Sequence, residues 1–500
     1  MRRLHSIFAK LHSLIAASRS EPAAQQTMRL TVGVALGALA VAATLTAMSY
    51  MFGYDTEVED MPALWLVALL AGAGAVFALV TPNLVAAASR QPGDVQRRLF
   101  ILIITAGLLA RLILFASVPA LEDDYNRYLW DGAVVAHGIS PYVHSPLAVY
   151  EARAPELLVE LGRNSDGVLE KINHKSLTTI YPPVAQAAFA MSYVVKPFDL
   201  TAWRGLLLAA DLVTLLCLLW LLDSVGRSRL WVALYWLNPV VLKEVFNSGH
   251  MEGILLPLVL STLLLAARRR PLLATVSLAF ATGIKFWPIL LAPVIWRSLR
   301  INLFQLFLAI VILGSLTALW LAPMLLAGSN DEPGLIAYVD RWTTNSALFP
   351  ALEAAVRRLQ DWLGLRQFEA GLVARGIVGL ALAVISIAIA WKPVEGTPDL
   401  VLRSSIVVAS IVLLSPAQYP WYTVWFAPFL VFHPYRAFLV LTALIPMYYA
   451  KFYLVSHDQG AIFYNIVVWM IWGPVLVLAL AGIRANYSSW KSGRRFAHGL

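Results

Sequence analysis

A single cysteine, Cys217, lies within an apolar run, so the chain offers neither a disulfide framework nor a Cys-based metal site. Charge is scarce as well: Asp, Glu, Lys and Arg make up 13% of 500 residues, against 59% hydrophobic. That balance overrides the several soluble domains that the length alone would suggest. No internal repeat and no low-complexity linker stands out, and the chain reads as one domain. The apolar runs are continuous rather than alternating, which excludes a transmembrane barrel. What remains is a mean hydropathy of +0.71 built from long apolar runs, the mark of an all-α, polytopic transmembrane helical bundle. A net charge of +9 would hint at nucleic acid in a soluble protein. Here Lys and Arg gathered in cytoplasmic loops explain it, and no nucleic-acid partner is expected.

Apolar runs place spans near 29–50, 62–82, 99–118, 203–222, 230–247, 252–267, 271–284, 287–296, 302–327, 371–391, 403–416, 421–433, 437–453 and 462–483. Some fall short of the roughly 20 residues a crossing needs, so about 12–14 spans are expected, some of them tilted, extended or partly re-entrant. Residues 1–28 form a basic N-terminal segment, 29–483 one transmembrane unit and 484–500 a basic tail. Arg2, Arg3, Lys10 and Arg19 interrupt the first segment, which reads as a basic interfacial helix rather than a cleaved signal peptide. The Lys and Arg bias places both termini in the cytoplasm. Reading 181–196 as an interfacial helix keeps Arg227, Arg229, Arg268 to Arg270, Arg297 and Arg300 on that side too. The same choice sends the loops 119–202 and 328–370, His250 and Tyr419 to the outer face.

The densest chemistry is Glu122-Asp123-Asp124-Tyr125-Asn126-Arg127-Tyr128-Leu129-Trp130-Asp131-Gly132, directly after an apolar run. Ionisable groups at a membrane boundary are costly and mark a site by default. As a helix, the segment sets Asp124, Arg127, Tyr128 and Asp131 on one face. Asp123 and Asp124 are candidate general bases, and the cluster leaves a divalent cation open through oxygen ligands. Asp131 and Arg127 alternatively form an ion pair across one turn, and a solvated negative edge is the plain reading of Glu122 and Asp123. Arg111, inside a span, should meet an anion, either a nearby carboxylate or a lipid phosphate. Lys285 is bracketed by Gly283 and Pro288, which should break the helix and offer a phosphate site; snorkelling to the interface is the alternative. His250 and Glu252 are suited to orient substrate or to bind a metal weakly, although two residues are too few to assign one. Asn345 and Tyr419, Trp421 and Tyr422 offer amide and aromatic surfaces for sugar rings, while an aromatic belt explains Trp421, Tyr422 and Trp425 equally well. Asp211, in mid-span, reads as a buried structural partner.

The first motif, followed by Gly138-Ile139-Ser140-Pro141-Tyr142, resembles the first outer loop of bacterial polyprenyl-phosphate-mannose-dependent mannosyltransferases of the GT-C superfamily. Tyr181-Pro182-Pro183, Gly249-His250-Met251-Glu252, Gly283-Ile284-Lys285 and Ser415-Pro416-Ala417-Gln418-Tyr419-Pro420-Trp421-Tyr422 are similar to that family in the same order, over roughly 100–480. Met251-Glu252 stands where many relatives have Asn-Asp, and Gln418-Tyr419 where a histidine often precedes Pro-Trp-Tyr. The resemblance implies a GT-C bundle in the plasma membrane with its active site on the outer face. It implies transfer of a sugar, mannose above all, from a polyprenyl-phosphate donor to a glycan or glycolipid acceptor. The transfer would be inverting, with Asp123 or Asp124 as base and Lys285 and Arg111 facing the phosphate. A transporter or flippase with Arg111, Asp211 and Lys285 along its path is the alternative, and it would call for paired repeats and broken helices in both halves.

Overall fold

The computed structural model describes residues 23–491 except 55, 152, 300–301, 330 and 366. The expected interfacial helix at the N-terminus and the last residues of the basic tail lie outside the described residues. Among the described residues every regular element is helical, and pairing between extended segments is limited to two isolated parallel bridges. Eight helices are long and apolar enough to cross a membrane, so the chain is a multi-pass membrane protein. The helices used below, spanning or not, are labelled α1 (Ala23–Ser49), α2 (Ala63–Ala88), α3 (Gly93–Leu114), α4 (Asp124–Ala136), α5 (Pro183–Val195), α6 (Leu200–Ser224), α7 (Glu252–Ala267) and α8 (Pro271–Thr282); of these, α1, α2 and α6 belong to the eight. Although α3 carries Arg97, Arg98 and Arg111, its 22 residues rise roughly 33 Å, enough for a hydrocarbon core.

The segments 230–247 and 421–433 are not the continuous helices expected from hydropathy. Asn238 caps Val240 ahead of Pro239, and the chain then widens into a π-turn over Leu242–Asn247. Pro420 and Pro428 similarly divide the second segment into Pro420–Trp425 and Ala427–Leu430. A proline withholds a backbone donor and crowds the preceding turn, so apolar composition alone does not yield a span.

Arg111 illustrates how buried charge is settled. It is fully buried, donates from Nε to Asp211 Oδ2 at 2.6 Å, and clamps α3 to α6. Its Nη1 donates to the carbonyls of Gly107 and Trp236 at 2.9 and 2.7 Å, and the guanidinium lies 3.6 Å over the Trp236 ring. Asp211 also accepts from the Tyr235 hydroxyl. The expected phosphate ligand is therefore withdrawn: Arg111 meets a carboxylate 100 residues away and does not line the cavity that holds Asp123 and Lys285.

Two short helices hold the acidic segment. Helix α4 lies against α5, and the crossing is closest at Gly132, where an added Cβ would stand 2.4 Å from the Phe189 carbonyl oxygen. No flexible side chain is available there to yield. Gly132→Ala is expected to lower stability by about 1–3 kcal/mol, read as a lower thermal midpoint in detergent; an unchanged midpoint would show the crossing to be loose. The two long loops join above this pair, with the Thr178 amide donating to Glu332 O at 3.1 Å and a bridge between Leu177 and Glu332.

Candidate active site

The acidic segment enters through a strained turn: Leu121 holds a φ of +57°, rarely adopted by residues other than glycine and common where function imposes it. Asn247 fixes that turn to the 247–251 loop. Its amide donates to Ser117 Oγ at 3.0 Å and Val118 O at 2.8 Å, and its oxygen accepts from the Ala120 amide at 3.2 Å. Arg204 adds donors to the carbonyls of Ser117 at 2.7 Å and Asn247 at 2.5 Å. Gly249, at φ +76°, then turns the chain while its carbonyl accepts from Trp203 Nε1 at 2.6 Å. Through these bonds Glu122 and Asp124 come to lie against His250.

Below the joined loops lies a cavity of about 840 Å³. Of the residues read from sequence, Asp123, Asp124, Arg127, Tyr128, Tyr181, Lys285, Tyr419, Trp421 and Tyr422 line it. Asp131, His250, Glu252, Asn345 and Arg111 do not. The expected helix spacing holds in α4, but residues Asn126 to Val134 are buried on every side, so the segment lies inside the protein rather than along a lipid edge. Asp131 stands behind the wall, accepting from Arg127 Nε at 2.8 Å and from Gln186 at 3.1 Å. Arg127 also donates to the Leu177 carbonyl at 3.1 and 3.2 Å, so this pair holds the loop that roofs the cavity. Asn345, at φ +50°, donates its amide to Gln418 O at 2.9 Å beside the Thr344–Ala417 bridge. The expected sugar contact is thus spent on joining two loops.

Asp123 is the carboxylate most open to the cavity. Asn173, from the same long loop, donates to its Oδ1 at 2.6 Å. Burial, then the neighbouring Asp124 and Glu122 carboxylates, push its pKa from the usual carboxylate range up to about 7, against the opposing Asn173 hydrogen bond. A carboxyl group of that basicity can take a proton from a hydroxyl near neutrality. Burial also raises Asp124, and His250, 3.9 Å away, works against the shift. His250 is fully buried, which disfavours its charged form; Glu122, Asp124 and Glu252 more than reverse this, and its pKa stands above the ordinary value.

Lys285 sits where the sequence placed it, at a break. Helix α8 ends at Thr282, Gly283 caps it and a 3-10 turn begins at Trp287. Its ammonium forms an ion pair with the buried Glu252 and lies 4.5 Å from the Tyr422 ring centre and 5.1 Å from that of Trp425. Neighbouring Ile284, Phe286 and Trp287 give the cavity apolar lining, and Lys171, Asn173 and His174 give it polar lining. Beside them Tyr419 stacks on Trp421 and Tyr422 stacks on Trp425, with centres 4.3 and 4.2 Å apart, and the two pairs meet edge to face.

Sequence reasoning missed Lys243, Glu244, Tyr449 and Asn173. Lys243-Glu244 within an otherwise apolar run was a usable signal, since buried charge in a span points to function. Tyr449 and Asn173 give no local sign; only the fold brings them to the acidic cluster.

The arrangement provides the basic Asp123 carboxylate, the Lys285 ammonium and an aromatic wall in a single chamber lined by both apolar and polar side chains. Residues 24–300 match the family described as alpha-(1->6)-mannopyranosyltransferase, N-terminal domain. No curated protein and no solved structure matches the chain. The family match covers more than half of the 500 residues and includes the acidic segment, His250 and Lys285, so this chain belongs to the alpha-(1->6)-mannopyranosyltransferase family and is a membrane glycosyltransferase.

Proposed function

We propose that this protein moves mannose from a polyprenyl-phosphate donor to a glycan or glycolipid acceptor on the outer face of the membrane, with inversion at the anomeric carbon. The observation that carries the reading is the placement of Asp123 and Lys285 in one cavity, with an apolar wall beside the lysine. The lipid chain of the donor runs along Ile284, Phe286 and Trp287, and its phosphate meets the Lys285 ammonium. Glu252, behind the wall, holds that ammonium in place. The acceptor enters near Asn173, which donates to Asp123, and gives its hydroxyl proton to an Asp123 oxygen. The acceptor oxygen forms its bond to the anomeric carbon as the bond from that carbon to phosphate oxygen breaks, and the phosphate leaves with the electron pair. Phosphate is a good leaving group, so positioning and charge stabilisation supply most of the acceleration.

The donor class is tested by titrating purified protein with polyprenyl phosphate and following tryptophan fluorescence, since Trp287 and Trp425 flank the lysine. A saturable change is expected. Lys285→Gln should weaken it by about tenfold or more, Lys285→Arg should stay near wild type, and GDP-mannose should give no change. Equal affinity in the Gln variant, or tighter binding of the sugar nucleotide, would count against a lipid-phosphate donor.

A further inference from the structure

Behind Asp124, the strained entry turn, the π-turn and the 248–251 loop each bring one side chain to a common point. Ligand atoms of Glu122, Glu244 and His250 all lie within 4.8 Å of one another. His250 Nε2 is 3.5 Å from Glu122 Oε2 and 3.8 Å from Glu244 Oε2. His250 and Glu244 are buried, and only 7% of the Glu122 side chain is exposed. Neither ring nitrogen of His250 has a hydrogen-bond partner among the described residues. Trp421 stacks on the imidazole at 4.0 Å and fixes its plane.

The hydrogen bonds at this point are too few to serve both carboxylates. Tyr449 has one phenolic proton, yet its oxygen lies 2.9 Å from Glu122 and 2.9 and 3.0 Å from the two oxygens of Glu244. Among the described residues, no Lys or Arg nitrogen lies within 4.0 Å of either carboxylate. Lys243 donates instead to Ser248 at 2.6 Å and to Tyr449 at 3.1 Å. Two carboxylates converging away from solvent need a cation between them. The unpartnered imidazole nitrogen aimed at the same point identifies a nitrogen-binding cation rather than a further ammonium.

We propose that Glu122, Glu244 and His250 bind one divalent first-row metal ion of the Zn²⁺ or Mn²⁺ type. One imidazole and two carboxylates suit such an ion, and bonds of roughly 2.0–2.2 Å require the three side chains to draw together by only a small amount. The ion pins the entry turn, the π-turn and the 248–251 loop to one point and sets the register of Asp123 and Asp124; it takes no part in the bond exchange. The site is independent of the donor assigned above.

Metal content of protein purified without chelators tests it, by elemental analysis, together with Mn²⁺ titration of chelator-treated wild type followed by electron paramagnetic resonance. About one bound ion per chain and uptake of Mn²⁺ are expected in wild type. His250→Gln and Glu244→Gln should lose the ion, whereas Asp123→Asn should keep it. Wild type that carries no metal and takes up no Mn²⁺ overturns the proposal and leaves a proton on His250 as the balancing charge. Full retention by folded His250→Gln overturns it as well. The wild-type titration decides the question should both ligand variants misfold.

Discussion

Asp123→Asn is expected to insert and fold like wild type and to lose roughly 10²–10⁴-fold in kcat for mannosyl transfer. The carboxamide is nearly isosteric, and the Asn173 amide that donates to Asp123 Oδ1 at 2.6 Å still finds a carbonyl oxygen there. What disappears is the group able to accept the acceptor hydroxyl proton, so the loss should fall on kcat and leave the donor KM close to wild type. Asp124→Asn should cost less, because Asp124 faces His250 from 3.9 Å and acts through its position. Steady-state rates on both variants, with thermal midpoints as the folding control, check this. An inactive Asp124→Asn beside an active Asp123→Asn would move the base to Asp124, and full activity in both would remove the acidic pair from the chemistry.

The second large effect concerns stability. Arg111→Met leaves Asp211 buried with the Tyr235 hydroxyl but without its cation, and an uncompensated buried charge costs about 3–5 kcal/mol. A strongly lowered thermal midpoint in detergent is expected. Pairing Arg111→Met with Asp211→Leu should recover much of the loss, since an apolar pair of similar volume often replaces a buried ion pair without penalty. Because Arg111 does not line the cavity, whatever folded Arg111→Met is recovered should bind donor with unchanged affinity. A normal midpoint with a raised donor KM would instead make Arg111 a phosphate ligand.

Arg111 also shows where sequence reasoning ended. Its position inside a span required an anion, and that inference holds. The choice between a neighbouring carboxylate and a lipid phosphate depended on a contact with Asp211 across 100 positions, which no local pattern contains. The shared face that Asp124, Arg127, Tyr128 and Asp131 would have on a helix is realised in Asp124–Ala136, and Gly283 with Pro288 revealed the break at Lys285, because both signals are carried by neighbouring residues. Asn345 misled, since an amide suited to sugar hydroxyls is equally suited to a carbonyl such as that of Gln418. The run 230–247 misled in another way: hydropathy averages over a window, so it hid both the Asn238-Pro239 break and the charges of Lys243 and Glu244.

Transfer itself tests the account most directly. Purified protein is incubated with polyprenyl-phosphate mannose labelled in the sugar and with an unlabelled mannoside acceptor. The label should pass to the acceptor with inverted anomeric configuration, polyprenyl phosphate should appear in equal amount, and Asp123→Asn should yield neither. Retained configuration in the product, or transfer supported by GDP-mannose and by no lipid-phosphate sugar, would contradict it.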